Sequence, residues 1–334
     1  MSARAFLAAT SAAFFPEAPS GLGNRSLLAG VVPDILAVWD WELDRPFLTR
    51  LGRACAARGL LFAAAREGCE ALLARLASSP GLAPAVVFDR ASDVAPGLAA
   101  PLLALEARGC RAVNQAGRMA WCRDKATMHL ELVAAGVQVP YGVIITSDQA
   151  MRAGGVLAEH AQSLGAPFVI KPAEGGGGEG VVLDASSAAD VAYYLEERGY
   201  DKIILQRRVV PCSLGGRRGW FRVFYLAGSV VPCWWDDRTH VYRQVSVAET
   251  ETSGLGRLRE LTLEIARIAG IDFFTTEIAL DVAGEMVVVD FVNEMPDLRC
   301  QTDYPDGVPE PLVDAVAAML VDLAVAGRRP APHR

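Results

Sequence analysis

An α/β fold, with a parallel sheet in its first third and two α+β lobes after it, is what this sequence predicts. Three observations predict it. Short apolar runs alternate with helical patterns from Asp34 to Asn114, the rhythm of a parallel sheet covered by helices. In mid-chain, two strand-like runs bracket four consecutive glycines, Gly175–Gly178. Near the C-terminus, a second pair of strand-like runs carries two carboxylates on an otherwise apolar ladder.

The elements follow in order. "DILAVWD" (Asp34–Asp40) reads as a strand, and Arg45–Gly59 as a helix closed by its glycine. Strands at Leu60–Ala65 and Pro84–Asp89 alternate with helices at Glu67–Ala77 and Leu98–Arg108, and Cys110–Asn114 is a short strand. One helix is expected from Trp121 to Ala135, with Asp124 as a cap and Gly136 as a stop. Strands at Tyr141–Ile145, Pro167–Lys171, Gly180–Leu183 and Lys202–Gln206, with helices at Asp148–Leu164 and Ala188–Glu197, make the central block. The last block has strands at Phe221–Leu226, Ser229–Trp234, Phe274–Asp281 and Glu285–Val292, and helices at Gly256–Ala269 and Pro311–Ala326. The expected domains are 1–117, 118–206 and 207–334.

Bulk properties remove several function classes. The chain has 334 residues, 52% hydrophobic and 21% charged, which is globular rather than disordered composition. A net charge of −7 leaves no basic excess for nucleic acid. No apolar run reaches the roughly 18 residues of a membrane helix. "AFLAATSAAFF" after Arg4 looks a little like a signal peptide, but its charged region is thin and "PEAPSG" is a poor cleavage site. A structured N-terminus is expected, and the tail "GRRPAPHR" reads as frayed. The seven cysteines form no CxxC or zinc spacing, so they read as buried reduced thiols of a cytoplasmic protein.

Glycine is costly to order, so the run "VIKPAEGGGGEGVV" needs a reason. It lacks the Gly-Lys-Ser/Thr of a P-loop, and no GxGxxG opens a helix. Phe168 and Ile170 alternate with Val169 and Lys171 in a strand, and "GVVL" begins another. The glycines then form a hairpin tip with Lys171 at its base. Such a tip can offer backbone N–H groups to phosphate oxygens, with the lysine adding a point charge. A solvated surface loop is the other reading. In "TTEIALDVAGEMVVVDFVNEMPDLR", a two-residue turn at Ala283-Gly284 makes Glu277 face Asp290. Opposed carboxylates repel, and a divalent cation relieves that. Asn293 adds a neutral oxygen, and an all-oxygen set suits Mg²⁺, a partner of nucleotide phosphates. Edge-exposed acids in another register are the alternative.

From about Asn114 to Asp306 these residues resemble the ATP-grasp superfamily. "CRDKATMHLELVAAGVQVP" is similar to its Asp-Lys segment, and "FVIKPAEGGGGEGV" to its second lysine strand and phosphate-covering loop. "KIILQRRV" is similar to its hinge strand, and "WFRVFYLAGSVV" to a strand pair of the glutathione-synthetase and ribosomal-protein glutamate-ligase branch. The resemblance implies an N-terminal domain preceding two lobes that clamp ATP. It implies ATP binding by Lys125, Lys171, Glu174, Gly175, Gly176, Gly177, Gly178, Gly180, Gln206, Arg207 and Val209. Glu277, Asp290 and Asn293 would hold Mg²⁺, with Mn²⁺ as a substitute. Apart from the resemblance, Arg222 and Arg299 can each grip a carboxylate or phosphate bidentately and read as catalytic contacts or as structural ion pairs, and Trp235 and Arg243 join them as substrate contacts. The implied reaction is carboxylate–amine ligation through an acyl phosphate, with small-molecule or peptide substrates and a homodimer as one expected assembly.

The chain departs from the family pattern at four places. Asp290-x-x-Asn293 replaces Glu-x-Asn. Arg207 stands where the hinge carries an acid, Trp220 replaces the acid two before Arg222, and Thr275 replaces an arginine found in D-alanine–D-alanine ligases. Two other readings stay open: a kinase acting on a hydroxyl, and a non-catalytic nucleotide-binding module. "CWWDDRTHVYR" reads either as an acceptor pocket, with His240 as a candidate base, or as lobe packing.

Overall fold

The computed structural model describes residues 32–66, 69–79, 83–148 and 154–327. The expectations for the N-terminal stretch, and for the tail beyond Gly327, lie outside the described residues. The chain divides into two units. The first contains the residues up to Met119, Ile271–Phe273 and Asp297 onward; the second contains Ala120–Gly270 and Phe274–Pro296.

In the first unit, β1 (Ile35–Trp39), β2 (Phe62–Arg66), β3 (Val86–Arg90) and β4 (Arg111–Val113) form one sheet in the order β2-β1-β3-β4. All pairs are parallel. Every residue of β1 is buried, as expected of a central strand covered on both faces. Helices α1 (Arg45–Ala57), α2 (Glu70–Ser78) and α3 (Ala99–Ala107) connect the strands. The Asp44 carboxylate accepts from Arg90 Nε at 3.0 Å and Nη2 at 2.9 Å, and both side chains are buried. This two-pronged pair ties the start of α1 to the end of β3. The last helix of the chain, labelled α10 below, packs on α1 and β3. The expected domain 207–334 includes this stretch; α10 lies in the first unit.

Helix α4 (Ala116–Arg123) spans the boundary between the units, and α5 (Lys125–Ala134) follows in the second. A single helix was expected here. The break comes from Asp124, which adopts extended backbone and caps α5 by accepting from Ala126 N. Next come β5 (Gly142–Thr146), α6 (Gly154–Leu164), β6 (Phe168–Pro172), β7 (Val182–Ala185), α7 (Ala188–Arg198) and β8 (Lys202–Arg207). Their antiparallel sheet has the order β5-β8-β6-β7. Phe168 and Ile170 are buried with Leu205, Val191 and Leu164 in its core, the face that period-two alternation predicts.

The remaining elements are β9 (Ser213–Leu214), β10 (Arg217–Arg218), β11 (Trp220–Leu226), β12 (Ser229–Trp235), β13 (Tyr242–Gln244), α8 (Val247–Thr252), α9 (Gly256–Ala269), β14 (Phe273–Leu280), β15 (Met286–Asn293) and α10 (Glu310–Gly327). Five strands form a sheet in the order β13-β12-β11-β14-β15. Helix α9 buries Leu258, Leu261 and Ile265 and packs on β11, β12 and β15. No described helix is long and apolar enough to cross a membrane.

Candidate active site

The glycine run is the connection between β6 and β7, which pair antiparallel. Gly175, Gly177, Gly178 and Gly180 have φ of +108°, +64°, +76° and +73°, a region closed to most side chains. Gly175–Gly178 are also exposed, with open space where a Cβ would stand. Backbone conformation, not crowding, demands glycine at 175, 177 and 178. Gly180 is crowded as well: a Cβ would meet Tyr200 Oη at 2.7 Å and Tyr194 Oη at 3.1 Å. Tyr194 Oη donates to the Gly180 carbonyl at 2.6 Å, fastening the far end of the loop. Lys125 Nζ donates to the Gly175 carbonyl and fastens the near end. Neither tyrosine is marked by a spacing that sequence reasoning could use.

Lys171 stands at the base of the loop and donates to the Val289 carbonyl of β15 at 3.1 Å. Burial lowers its pKa from the ordinary value, against the opposing pull of Asp290 and Glu277, while Lys125 pushes the same way as burial. The two predicted phosphate lysines and the two predicted metal carboxylates therefore share one electrostatic neighbourhood.

The carboxylate hairpin corrects the expected turn. The loop is Val282-Ala283-Gly284, not Ala283-Gly284. Gly284 N donates to Asp281 O, Gly284 has φ of +84°, and Asp281 Oδ1 accepts from Ala283 N and Glu285 N. Such a three-residue loop is built on a type I turn and a left-handed glycine. Leu280 consequently pairs with Met286 and Ile278 with Val288, yet Glu277 still pairs with Asp290, and Thr275 pairs with Asn293. Two irregularities, one on each side of the Glu277–Asp290 rung, each add a residue to β15. Directly paired residues share a face, and Thr275 and Glu277, two apart on β14, share one too. Asp290 and Asn293 are thereby on the same face despite their odd spacing. The Asp-x-x-Asn departure is absorbed by a bulge.

Glu277 is only 8% exposed. Its Oε1 accepts from Arg222 Nη2, and its Oε2 accepts from Trp220 Nε1 at 3.1 Å. Trp220 is two residues before Arg222 on the same strand, so a period-two reading of β11 puts both on one face. The Arg222 guanidinium lies 4.5 Å from the Trp235 ring centroid and donates to Tyr242 Oη at 3.2 Å. Burial opposes its charge, but Glu277, with Tyr242 and Asp290, more than offsets this and raises its pKa. Asp290 makes no hydrogen bond or ion pair through its carboxylate among the described residues, and Thr275 Oγ1, one rung away, is buried without a partner.

These residues fit a divalent cation. Asp290 and Asn293 supply accessible oxygens on one face. Asn293 Oδ1 accepts only from Met295 N, at 3.2 Å, and each Glu277 oxygen keeps a second lone pair. Among the described residues no three His, Cys, Asp or Glu side chains cluster to hold a metal.

At the hinge, Gln206 is 2% exposed and its Nε2 has no partner. Arg207 N donates to Tyr141 O, and the Arg207 guanidinium donates to Ser163 O at 3.0 Å over the Tyr141 ring. The Val209 backbone groups are unpaired among the described residues. Arg243 bonds Glu249. Arg299 belongs to the first unit. Asp297 and Asp306 bind its guanidinium at 2.7 and 2.9 Å, and it lies over the Trp41 and Tyr304 rings. In this structure Arg222, Arg243 and Arg299 are thus all committed to protein carboxylates.

No protein-family model and no curated protein sequence matches this chain. Solved structures do. A D-alanine–D-alanine ligase from Bacillus anthracis, complexed with ATP, aligns with a TM-score of 0.61 at 12% identity, over 87% of this chain and 97% of that one. The ATP-grasp ligase PsnB, complexed with precursor peptide and AMPPNP, aligns at 0.59 and 16% identity over 87% and 99%. An ATP-grasp RimK domain protein from Sphaerobacter thermophilus aligns at 0.58 and 19% identity over 87% and 99%.

Proposed function

From a chain that has the ATP-grasp fold, we propose an ATP-dependent carboxylate–amine ligase. The observation that carries this is Lys171, which stands at the base of the glycine loop, donates to the carbonyl of Val289 beside Asp290, and feels the charges of Asp290, Glu277 and Lys125. Phosphoryl transfer asks a protein for positioning and charge neutralisation more than for covalent chemistry. In this reading Lys125 and Lys171 face the phosphates, and Gly175–Gly178 cover them with backbone N–H groups. Gln206, Arg207 and Val209 border the adenine, with the unpaired Val209 backbone as donor and acceptor. Asp290, Asn293 and Glu277 hold Mg²⁺, which when bound neutralises phosphate charge.

The reaction balances as two displacements. A substrate carboxylate oxygen attacks the γ-phosphorus, the bond to the bridging oxygen breaks, and ADP leaves. The amine then attacks the acyl carbon, phosphate leaves, and the amine proton passes to solvent or base. Closure of the glycine loop keeps water from the acyl phosphate. Arg222 fixes Glu277 rather than presenting a free guanidinium, so substrate binding by Arg222 or Arg299 requires an exchange of ion-pair partners. Peptide substrates are within scope, since PsnB is complexed with a precursor peptide.

The test incubates the protein with Mg-ATP, hydroxylamine and a panel of amino acids, short peptides and carboxylic acids. ADP and hydroxamate rising together for one acid is the expected result. ADP with a phosphorylated product and no hydroxamate makes the protein a kinase. ATP binding with no ADP across the panel overturns the ligase reading in favour of a binding module.

A further inference from the structure

Glu249 sits in an unusual position. Arg217 Nη1, from β10, and Arg243 Nη2, from β13, both donate to its Oε1, the former at 3.3 Å. Both guanidinia also lie over the ring of Trp234, at 5.6 and 5.9 Å. Trp234 is 5% exposed, and its indole N–H is buried without a partner. Two cations that share one aromatic face thus gather about one carboxylate, a recognisable carboxylate-binding set. The Arg243 bond and the Ser246 hydrogen bonds hold that carboxylate down to about 2.

The element that delivers the carboxylate is weakly held. Helix α8 spans six residues and buries none of them, and its Val247 is 77% exposed. Its attachment is polar: a capping box between Ser246 and Glu249, and the two arginine bonds. An element without buried apolar contacts opens locally at little free-energy expense. The arginines, in contrast, are on strands. The β9–β10 hairpin is pinned by Arg218, which donates to Asp237 at 2.7 and 2.8 Å, and β13 pairs with β12.

We propose that Arg217, Arg243 and Trp234 form a carboxylate subsite for an acidic peptide segment, and that Glu249 on α8 is its removable internal occupant. The proposal needs no nucleotide and does not depend on the ligase reading.

The probe is a fluorescein-labelled hexaglutamate peptide, titrated without ATP and followed by anisotropy. Glu249→Gln removes the competing charge but keeps the cap, since glutamine serves equally at that capping-box position. An occupant present about nine-tenths of the time weakens apparent affinity about tenfold, so Glu249→Gln should bind the peptide about tenfold more tightly than the unmodified chain. Adding Arg217→Gln and Arg243→Gln should abolish that gain. Equal or weaker binding by Glu249→Gln overturns the proposal, as does a gain that survives loss of both arginines. A second measurement uses the unmodified chain alone: at saturating peptide, amide exchange in 247–252 should accelerate, and unchanged exchange there overturns the displacement.

Discussion

Glu277 and Asp290 are acids on facing strands, yet their surroundings differ. Glu277 is neutralised by Arg222 and hydrogen-bonded by Trp220, whereas the Asp290 carboxylate has no hydrogen-bond or ion-pair partner among the described residues. Their roles should therefore separate by substitution. Asp290→Asn keeps shape and removes charge; turnover should fall by about 100-fold or more, with an unchanged circular dichroism spectrum. Lys171→Met removes one charge-assisted contact and should weaken ATP binding about 10- to 100-fold, read by calorimetric titration. Retained activity in the first case would remove Asp290 from the metal site. Both residues are legible in the sequence because chemistry announces them: a lysine beside a glycine run and an acid on an apolar strand. Trp220 is not, since a tryptophan on a strand is ordinarily packing. Only the position of Glu277 turns its N–H into a positioning group.

At the scale of elements, the glycine loop is held at both ends, by Lys125 at Gly175 and by Tyr194 at Gly180. Gly180→Ala meets both a left-handed backbone and the Tyr200 hydroxyl. It should cost about 1–2 kcal/mol locally and speed proteolytic cleavage within 174–181. Mg-ATP should slow that cleavage in the unmodified chain; equal rates with and without nucleotide would count against a phosphate lid. Helix α5 holds another test. His129 is buried against the Phe291 ring at 5.6 Å, with Nδ1 unpartnered. Burial lowers its pKa. The unfolded chain therefore takes up the proton first, so stability is full above about 6.5 and declines as pH falls through the lowered folded value. His129→Leu should flatten this segment of the urea-midpoint profile below pH 6.5, and an unchanged slope would assign it to other groups. Long elements with a clean period were readable in sequence. The strands β9, β10 and β13 and helix α8, two to six residues each, carry too few residues to establish a period. The break at Asp124 was readable only as a cap. The bulges of β15 gave no sign, because neither Gly nor Pro marks them.

For the whole molecule, two units with separate cores should unfold separately. The first is centred on β1 and on the buried Asp44–Arg90 pair. The second contains all the proposed nucleotide and metal residues. Calorimetry should resolve two transitions, and Mg-ATP should raise only the one belonging to the second unit. Asp44→Ala leaves a buried guanidinium unpaired and should lower the other by about 3–5 kcal/mol. One transition that responds to both would mean a single cooperative body. The alternation of strand and helix gave the first unit from sequence. It did not return α10 to that unit, because hydrophobic periodicity says which face of a helix is covered and nothing about what covers it.

The bulged strand has a consequence for how such proteins are found. A pleated strand is a two-letter reading frame, and a residue inserted between two ligands shifts everything downstream out of phase. In β15 the shift between Asp290 and Asn293 is corrected by the backbone, much as a compensating insertion restores a codon frame. A search that demands Glu-x-Asn would discard this chain, although Asp290 and Asn293, the proposed ligands, still share a face. The spacing of a ligand pair is the sum of residue count and strand irregularity, and only the first of those is written in the alphabet.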